Sequence, residues 1–289
     1  MQTIRVTGVP EHFNLPWHLA IEEGKFEVSN IDLQWQMAPG GTGAMMQALA
    51  NDEADIAIAL TEGVVTSIIK GTQARILQLY VESPLTWGIH VAAHTDLKSL
   101  ADLAGKSFAI SRPFSGSHLM AFVLAEQQGW PTQNLPLVEV GGLAGARTAL
   151  ANEEADIFLW EKYTTKPIVD RGEFRRLGEI NTPWPCFVIV ASQGMTVEKP
   201  ELLQKMLEVI NQSSKSFKDR SDAVDLVAQR YELEATDAEA WLSRTRWASD
   251  QRISASMLGY VSDTLYRLKA IDKKLPPEQL CAPGIRLVN

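Results

Sequence analysis

Nine consecutive residues of this chain occur twice. Ala48-Leu49-Ala50-Asn51-Asp52-Glu53-Ala54-Asp55-Ile56 returns 101 residues later as Ala149-Leu150-Ala151-Asn152-Glu153-Glu154-Ala155-Asp156-Ile157, with Glu153 in place of Asp52 as the one exchange. Glycines precede both copies at the same spacing, Gly40-Gly41 and Gly141-Gly142. Each copy reads as a glycine turn, a helix, a polar corner and a buried strand. A supersecondary unit used twice in register predicts two lobes of similar build facing each other across a cleft.

The rest of the chain fits that frame. Strand-like runs rich in Ile and Val fall at 3–8, 31–37, 55–60, 75–81, 88–93, 107–111, 137–140, 156–160 and 187–192. Helical windows alternate with them at 15–23, 42–51, 62–70, 100–103, 116–128, 142–152 and 161–171. Such alternation reads as α/β with a mainly parallel sheet. The last third changes character, with apolar residues at helical spacing over 200–217, 222–231, 237–247 and 254–268 and no strand between them. The tail after Lys274 is Pro-rich and is expected to lie along the surface. Lobe one is expected at 1–88 with 192–289 returning to it, and lobe two at 94–183. Hinge strands are expected near 87–93 and 187–192.

Composition removes several function classes. Of 289 residues, 27 are basic and 35 acidic, a net charge of −8, which disfavours a large nucleic-acid footprint. Two cysteines, Cys186 and Cys281, are too few for a disulfide framework or a Cys-rich zinc site, though a single bridge stays open. No apolar stretch is long enough for a membrane helix. Met1 opens almost directly into a strand, so a cytoplasmic location is expected for the chain as it stands, and a periplasmic or extracellular one if a leader has been removed. No P-loop, dinucleotide fingerprint, nucleophile elbow or zinc helix motif occurs, and no cofactor is expected.

The opening strand Ile4–Gly8, the helix ending AIEEGKF at 20–26, GGTGAMMQALANDEADIAIA at 40–59 and LADLAGKSFAIS at 100–111 resemble the type 2 periplasmic-binding-protein fold. More narrowly they resemble solute-binding proteins of ABC importers for nitrate, sulfonates, taurine and thiamine-pyrimidine precursors. Trp17, Trp160 and the segment 182–187 look closer to a leaderless branch of fungi and some bacteria. The resemblance spans about residues 3–220 and implies a two-lobed α/β protein with a helical C-terminal extension. Its partners would be a small-molecule ligand and, if exported, an ABC permease. Biosynthetic enzymes on the same scaffold, in thiamine-pyrimidine or menaquinone pathways, and cytosolic ligand sensors are the rivals.

In such a fold strand C-termini and helix N-termini line the cleft, which nominates residues. Glu11, His12 and Phe13 follow the first strand. Gly41 and Thr42 open a helix whose free N–H groups favour a negative group, with Thr42 doubling as a helix cap. Thr61 and Glu62 follow the first repeated strand, where the carboxylate would accept from a ligand amino group. Trp160 and Glu161 follow the second, with Tyr163 nearby, and suit a flat or cationic ring. Arg112 and Ser115, with Ser117, would hold an anion. Trp87 and Trp184 lie at the lobe crossings, and Cys186 beside Trp184 is a candidate to face the cleft. His118 reads as structural. His12 next to Glu11 suggests metal or acid–base work, but no second ligand stands at helical spacing and no metal is expected.

Overall fold

The computed structural model describes the whole chain, Met1–Asn289. It divides into two compact units, Met1–Ser83 with Trp184–Asn289, and Pro84–Pro183. The first unit begins with β1 (Gln2–Gly8), α1 (Leu15–Glu22), α2 (Lys25–Val28), β2 (Ile31–Met37), α3 (Gly41–Ala50), β3 (Ile56–Leu60), α4 (Thr61–Ile69) and β4 (Ala74–Val81). The second unit holds β5 (Thr86–Ala92), β6 (Phe108–Ile110), α5 (Gly116–Gln127), β7 (Leu137–Glu139), α6 (Leu143–Ala151), β8 (Ile157–Glu161), α7 (Lys166–Asp170) and β9 (Phe174–Asn181). The first unit resumes with β10 (Phe187–Ser192), α8 (Gln193–Glu198), α9 (Pro200–Lys218), α10 (Ala223–Tyr231) and α11 (Ala235–Arg244). It closes with β11 (Arg252–Ser254), α12 (Ala255–Arg267), α13 (Pro277–Leu280) and β12 (Arg286–Val288).

One sheet topology is used twice. The first unit's sheet runs β2-β1-β3-β10-β4 and the second's β7-β6-β8-β5-β9. In each, one strand opposes its neighbours: β10 is antiparallel to β3 and β4, and β5 to β8 and β9. The repeated segments lead into β3 and β8, one in each sheet. The chain changes unit at Ser83–Pro84 and again at Pro183–Trp184. Strands β5 and β10 lie inside the second and first sheets.

Burial explains the elements. Strand β3 is Ile-Ala-Ile-Ala-Leu, buried at its first four positions, because helices cover both faces of a largely parallel sheet. Helix α9 starts with Pro200 in its first turn and buries Leu202, Leu203, Met206, Leu207, Ile210 and Phe217. That three-to-four spacing makes one apolar stripe. Both cysteines are free and buried, so there is no bridge. No helix is long and apolar enough to cross a membrane.

Several elements differ from the sequence reading. Strand β9 was missed because Arg175, Arg176, Gly178 and Glu179 hide its period. Arg175 is satisfied by loop carbonyls, donating to Ala93, Thr95 and Leu97 oxygens at 2.5, 3.1 and 2.9 Å. The window 161–171 is not one helix, since β8 runs through Glu161 and α7 starts at Lys166. The last third contains two strands, with β11 and β12 pairing in parallel. The tail is not a surface strap. Leu280 and Cys281 are buried, Cys281 bridges to Ile76, and Ala282 N donates to Ile76 O at 2.9 Å.

Candidate functional site

In the first unit, register puts Leu60, Phe187 and Val81 side by side, with Gly8 opposite Met37 one step away. The loops leaving this edge carry Glu11–Phe13, Gly41–Thr42, Thr61–Glu62 and Trp184, so the sequence candidates of this unit come together. Thr61 is tied to the incoming chain: its N–H donates to Cys186 O at 3.0 Å and its hydroxyl to Pro185 O at 2.6 Å. Glu62, only 1% exposed, accepts the Trp184 indole N–H at 2.8 Å. Burial lifts its pKa to about 7, against the opposing pull of its own backbone N–H and of Trp184. A carboxyl poised there can donate or accept a hydrogen bond near neutral pH.

Thr42 is not a helix cap. Gly40 holds the cap position, and the Thr42 hydroxyl accepts the Leu60 N–H at 3.1 Å, tying α3 to the end of β3. Gly63 makes this possible, since a Cβ there would lie 2.5 Å from Thr42 Cγ2. Gly41 takes φ +68°, the left-handed region that glycine enters at little cost. Cys186 is fully buried, with Sγ 4.0 Å from Val81 O. It belongs to the core and does not line an opening.

His12 lies in an aromatic nest. Its ring stacks on Phe13 at 4.9 Å and meets the edges of Trp241 and Tyr231 at 4.5 and 5.7 Å. Burial drives its pKa down to about 3, so the imidazole is neutral. Phe13 O accepts from Tyr80 Oη at 2.7 Å and Trp247 Nε1 at 3.2 Å. Glu11 beside them is half-buried. Tyr80, Tyr231, Trp241 and Trp247 thus position the β1 loop. Sequence reasoning missed them; the signal available was three aromatics on the helical stretch 231–247. No three His, Cys, Asp or Glu side chains gather as metal ligands would.

The second unit presents the corresponding edge. Trp87 stands opposite Glu161 in the β5–β8 register. Glu161, 3% exposed, accepts from Thr164 N at 2.6 Å and Thr164 Oγ1 at 2.9 Å. Burial raises its pKa to about 7 as well. Trp87 is buried, and its indole N–H has no hydrogen-bond partner in the chain. Trp160 lies within β8, so alternation sends it to the opposite face from Glu161. There it stacks on Phe158 at 5.2 Å and packs against the core cluster to which Ala146, Ala149 and Phe174 belong. The aromatic residue facing the same side as Glu161 is therefore Trp87. Tyr163 is buried under Lys162, whose Nζ stands 5.0 Å from the ring.

Ser115 caps α5, accepting His118 N–H at 3.3 Å. Ser117 Oγ accepts Ser111 N–H at 2.9 Å and shares a hydrogen bond with Ser115 Oγ at 3.0 Å. Arg112 is half-buried, and burial lowers its pKa against the field of Glu139. His118 Nδ1 accepts Phe114 N–H at 2.7 Å, which holds Phe114 at φ +62° and gives His118 the structural role expected of it.

Two such sheets, each with one reversed strand and its helix-bearing loops at one edge, form the type 2 periplasmic-binding-protein fold. The chain has the architecture of a ligand-binding protein of this class. A family model described as Ca3427-like PBP matches residues 87–180. No curated protein matches the sequence. Among solved structures, the chain is similar to the Candida albicans CA3427 gene product, described as defining a new family with the generic periplasmic binding protein fold. The two share 25% identity over 100% of this chain and 99% of that one, with a TM-score of 0.89. The alkanesulfonate-binding protein SsuA from Xanthomonas axonopodis pv. citri, bound to MOPS, is 19% identical over 100% and 99% of the chains, TM-score 0.80. The aliphatic sulphonate-binding protein SsuA from Escherichia coli is 17% identical over 99% of each, TM-score 0.76.

Proposed function

We propose that this is a solute-binding protein whose two lobes close on a small organic ligand bearing both hydrogen-bond donors and acceptors, an aminopyrimidine of the thiamine-precursor type being the best fit. The observation that carries the reading is the pair of buried carboxyls, Glu62 and Glu161, one at the loop-bearing edge of each sheet, with burial pushing the pKa of each up to about 7. A ring with amino and imino nitrogens offers what such carboxyls recognise, and Trp87 and Trp184 supply aromatic surface beside them. His12, Thr42 and Ser115 complete the proposed ligand set by holding its loops. On this reading the ligand passes to an ABC permease if the protein is exported.

A sulfonate is the second reading. It is favoured by Arg112 with Ser115 and Ser117 at the start of α5, and by the sulfonate ligands of the two SsuA proteins. Native mass spectrometry of the purified protein identifies any retained ligand. Calorimetry with 4-amino-2-methylpyrimidine and with an alkanesulfonate then separates the readings. For the pyrimidine, Glu62→Gln and Trp87→Ala are each expected to weaken binding by more than about 1 kcal/mol. Unchanged affinity in both folded variants puts the site elsewhere. Loss of sulfonate binding on Arg112→Ala, with no pyrimidine binding at all, selects the second reading.

A further inference from the structure

A cavity of about 320 Å³ opens within the first unit, between the last turn of α9 and the segment 246–249. That is the lower end of the size range of small-molecule sites. The segment is fixed in place: Glu82 N donates to Arg246 O at 2.8 Å, Ala248 N to Tyr80 O at 2.9 Å and Arg246 N to Ser83 Oγ at 3.2 Å. Lys215, Lys218 and Arg246 all line the cavity. Lys218 is engaged, donating to Thr245 O at 2.7 Å. Lysines in the last turn offset a helix dipole, which accounts for Lys215 and Lys218. It does not account for Arg246, which arrives from another element. Neither Lys215 nor Arg246 has a carboxylate partner.

The acids on the rim are Glu82 and Asp219. Glu82 lies in the field of Arg252, and Asp219 ends α9. The lining thus carries one positive charge in excess. Ser214 Oγ, buried beside the Tyr80 phenol, lines the same cavity and makes no hydrogen bond of ordinary geometry. The apolar wall is Trp247, half-buried, with Phe217 and Trp241 edge-on at 5.6 and 5.7 Å.

We propose that this cavity is a second ligand site, taking a small organic monoanion with a flat apolar part, an aromatic carboxylate being the simplest such molecule. Lys215 and Arg246 hold the charge, Ser214 donates to it, and the ring lies against Trp247. The site is wired to the β1 loop, because Trp247 Nε1 holds Phe13 O at 3.2 Å. An occupant that moves the indole moves the support of Phe13 and His12.

The test titrates benzoate into the full-length protein by calorimetry and tryptophan fluorescence, with benzylamine and inorganic phosphate as charge-reversed and ring-free controls. Saturable benzoate binding with a fluorescence change is expected, weakened about tenfold or more by Lys215→Ala/Arg246→Ala. Both replaced side chains are exposed, and a thermal melt verifies folding. Glu62→Gln is expected to leave benzoate affinity within about twofold, which separates this site from the proposed primary one. Trp247→Phe removes the fluorescence change. No saturable benzoate binding, equal affinity in the double variant, or benzylamine or phosphate binding as well as benzoate each overturns the proposal.

Discussion

At the corner after α3, Glu53 N and Ala54 N both donate to Ala48 O, at 2.8 and 3.2 Å; after α6, Glu154 N and Ala155 N donate to Ala149 O at 2.8 and 3.3 Å. Asn51 Nδ2 reaches Glu53 at 3.3 Å and Asn152 Nδ2 reaches Glu154 at 3.2 Å. Asp52 and Glu153 share a left-handed φ of 59° and 58°. Beyond the repeat, at the far ends of β3 and β8, the likeness stops. In the first unit a buried carboxyl is held by an indole, Glu62 by Trp184. In the second it is held by a backbone N–H and a hydroxyl, Glu161 by Thr164. The repeated residues build the end of the sheet that carries no candidate, so their identity reports architecture and is silent on the ligand.

The largest effect is expected where the two copies use different residues at one position. Gly145 stands where the first copy has Ala44, and a Cβ on it would lie 1.9 Å from Val140 O. Gly145→Ala is expected to cost about 3 kcal/mol by overpacking, whereas Ala44→Gly costs about 1; urea unfolding of both variants checks this. Equal costs would mean the two helices approach their sheets alike.

The carboxyls come next. Glu62 and Glu161 are raised from 4.5 to about 7, so between those values the folded chain keeps protons that the unfolded chain releases. Their contribution to stability is therefore highest below pH 4.5 and is lost as pH rises to about 7, by roughly 3 kcal/mol for each carboxyl. Relative to wild type, Glu62→Gln should flatten this fall, and Glu161→Gln should do so separately. Denaturant midpoints at several pH values read it.

A smaller contrast lies at the strand starts. Asp55 accepts from Arg5 N at 2.7 Å and pairs with its guanidinium at 2.8 Å, while Asp156 accepts from Ser107 N and Oγ at 2.9 and 2.8 Å. Asp55→Ala should cost about 2 kcal/mol and Asp156→Ala about 1, because Asp55 holds a guanidinium at 2.8 Å whereas Asp156's one charged partner, Lys106, stands 4.0 Å off. The smallest effect is Glu153→Gly, expected to stabilise by about 0.5 kcal/mol by relieving a left-handed residue. Asp52→Gly should gain nothing, because Arg5 also grips Asp52 O and Oδ1. Thermal melts suffice for both.

These contrasts show what the sequence carried. The repeat and the Ile/Val runs announced two sheets, because burial on both faces writes itself as unbroken apolar residues. Glu62, Glu161 and Trp184 were nominated from positions at strand ends, and the structure places them beside the sheet edges. Strand β9 was not, since an edge strand carrying two arginines, one of them satisfied by distant carbonyls, has no local signature. Nor was the nest around His12, because Tyr231 and Trp241 meet it across more than 200 residues of chain, a contact no periodicity records. Trp160 and Glu161 looked like a working pair until alternation separated their faces.

The insertion of one unit into the other also orders events in time. Residues 84–183 are contiguous and can complete their sheet soon after they leave the ribosome. The first unit cannot, because β10 runs between β3 and β4 and is synthesised more than 100 residues after them. Until it arrives, β3 and β4 present unpaired edges, the condition that favours aggregation in slow, high-contact-order sheets. The segment Cys281–Ala282, which docks on Ile76, comes later still. Stalled synthesis before residue 192 would therefore yield a finished second unit tethered to a sticky, half-built first one, and trimming the last ten residues would remove the contacts that Cys281 and Ala282 make with Ile76.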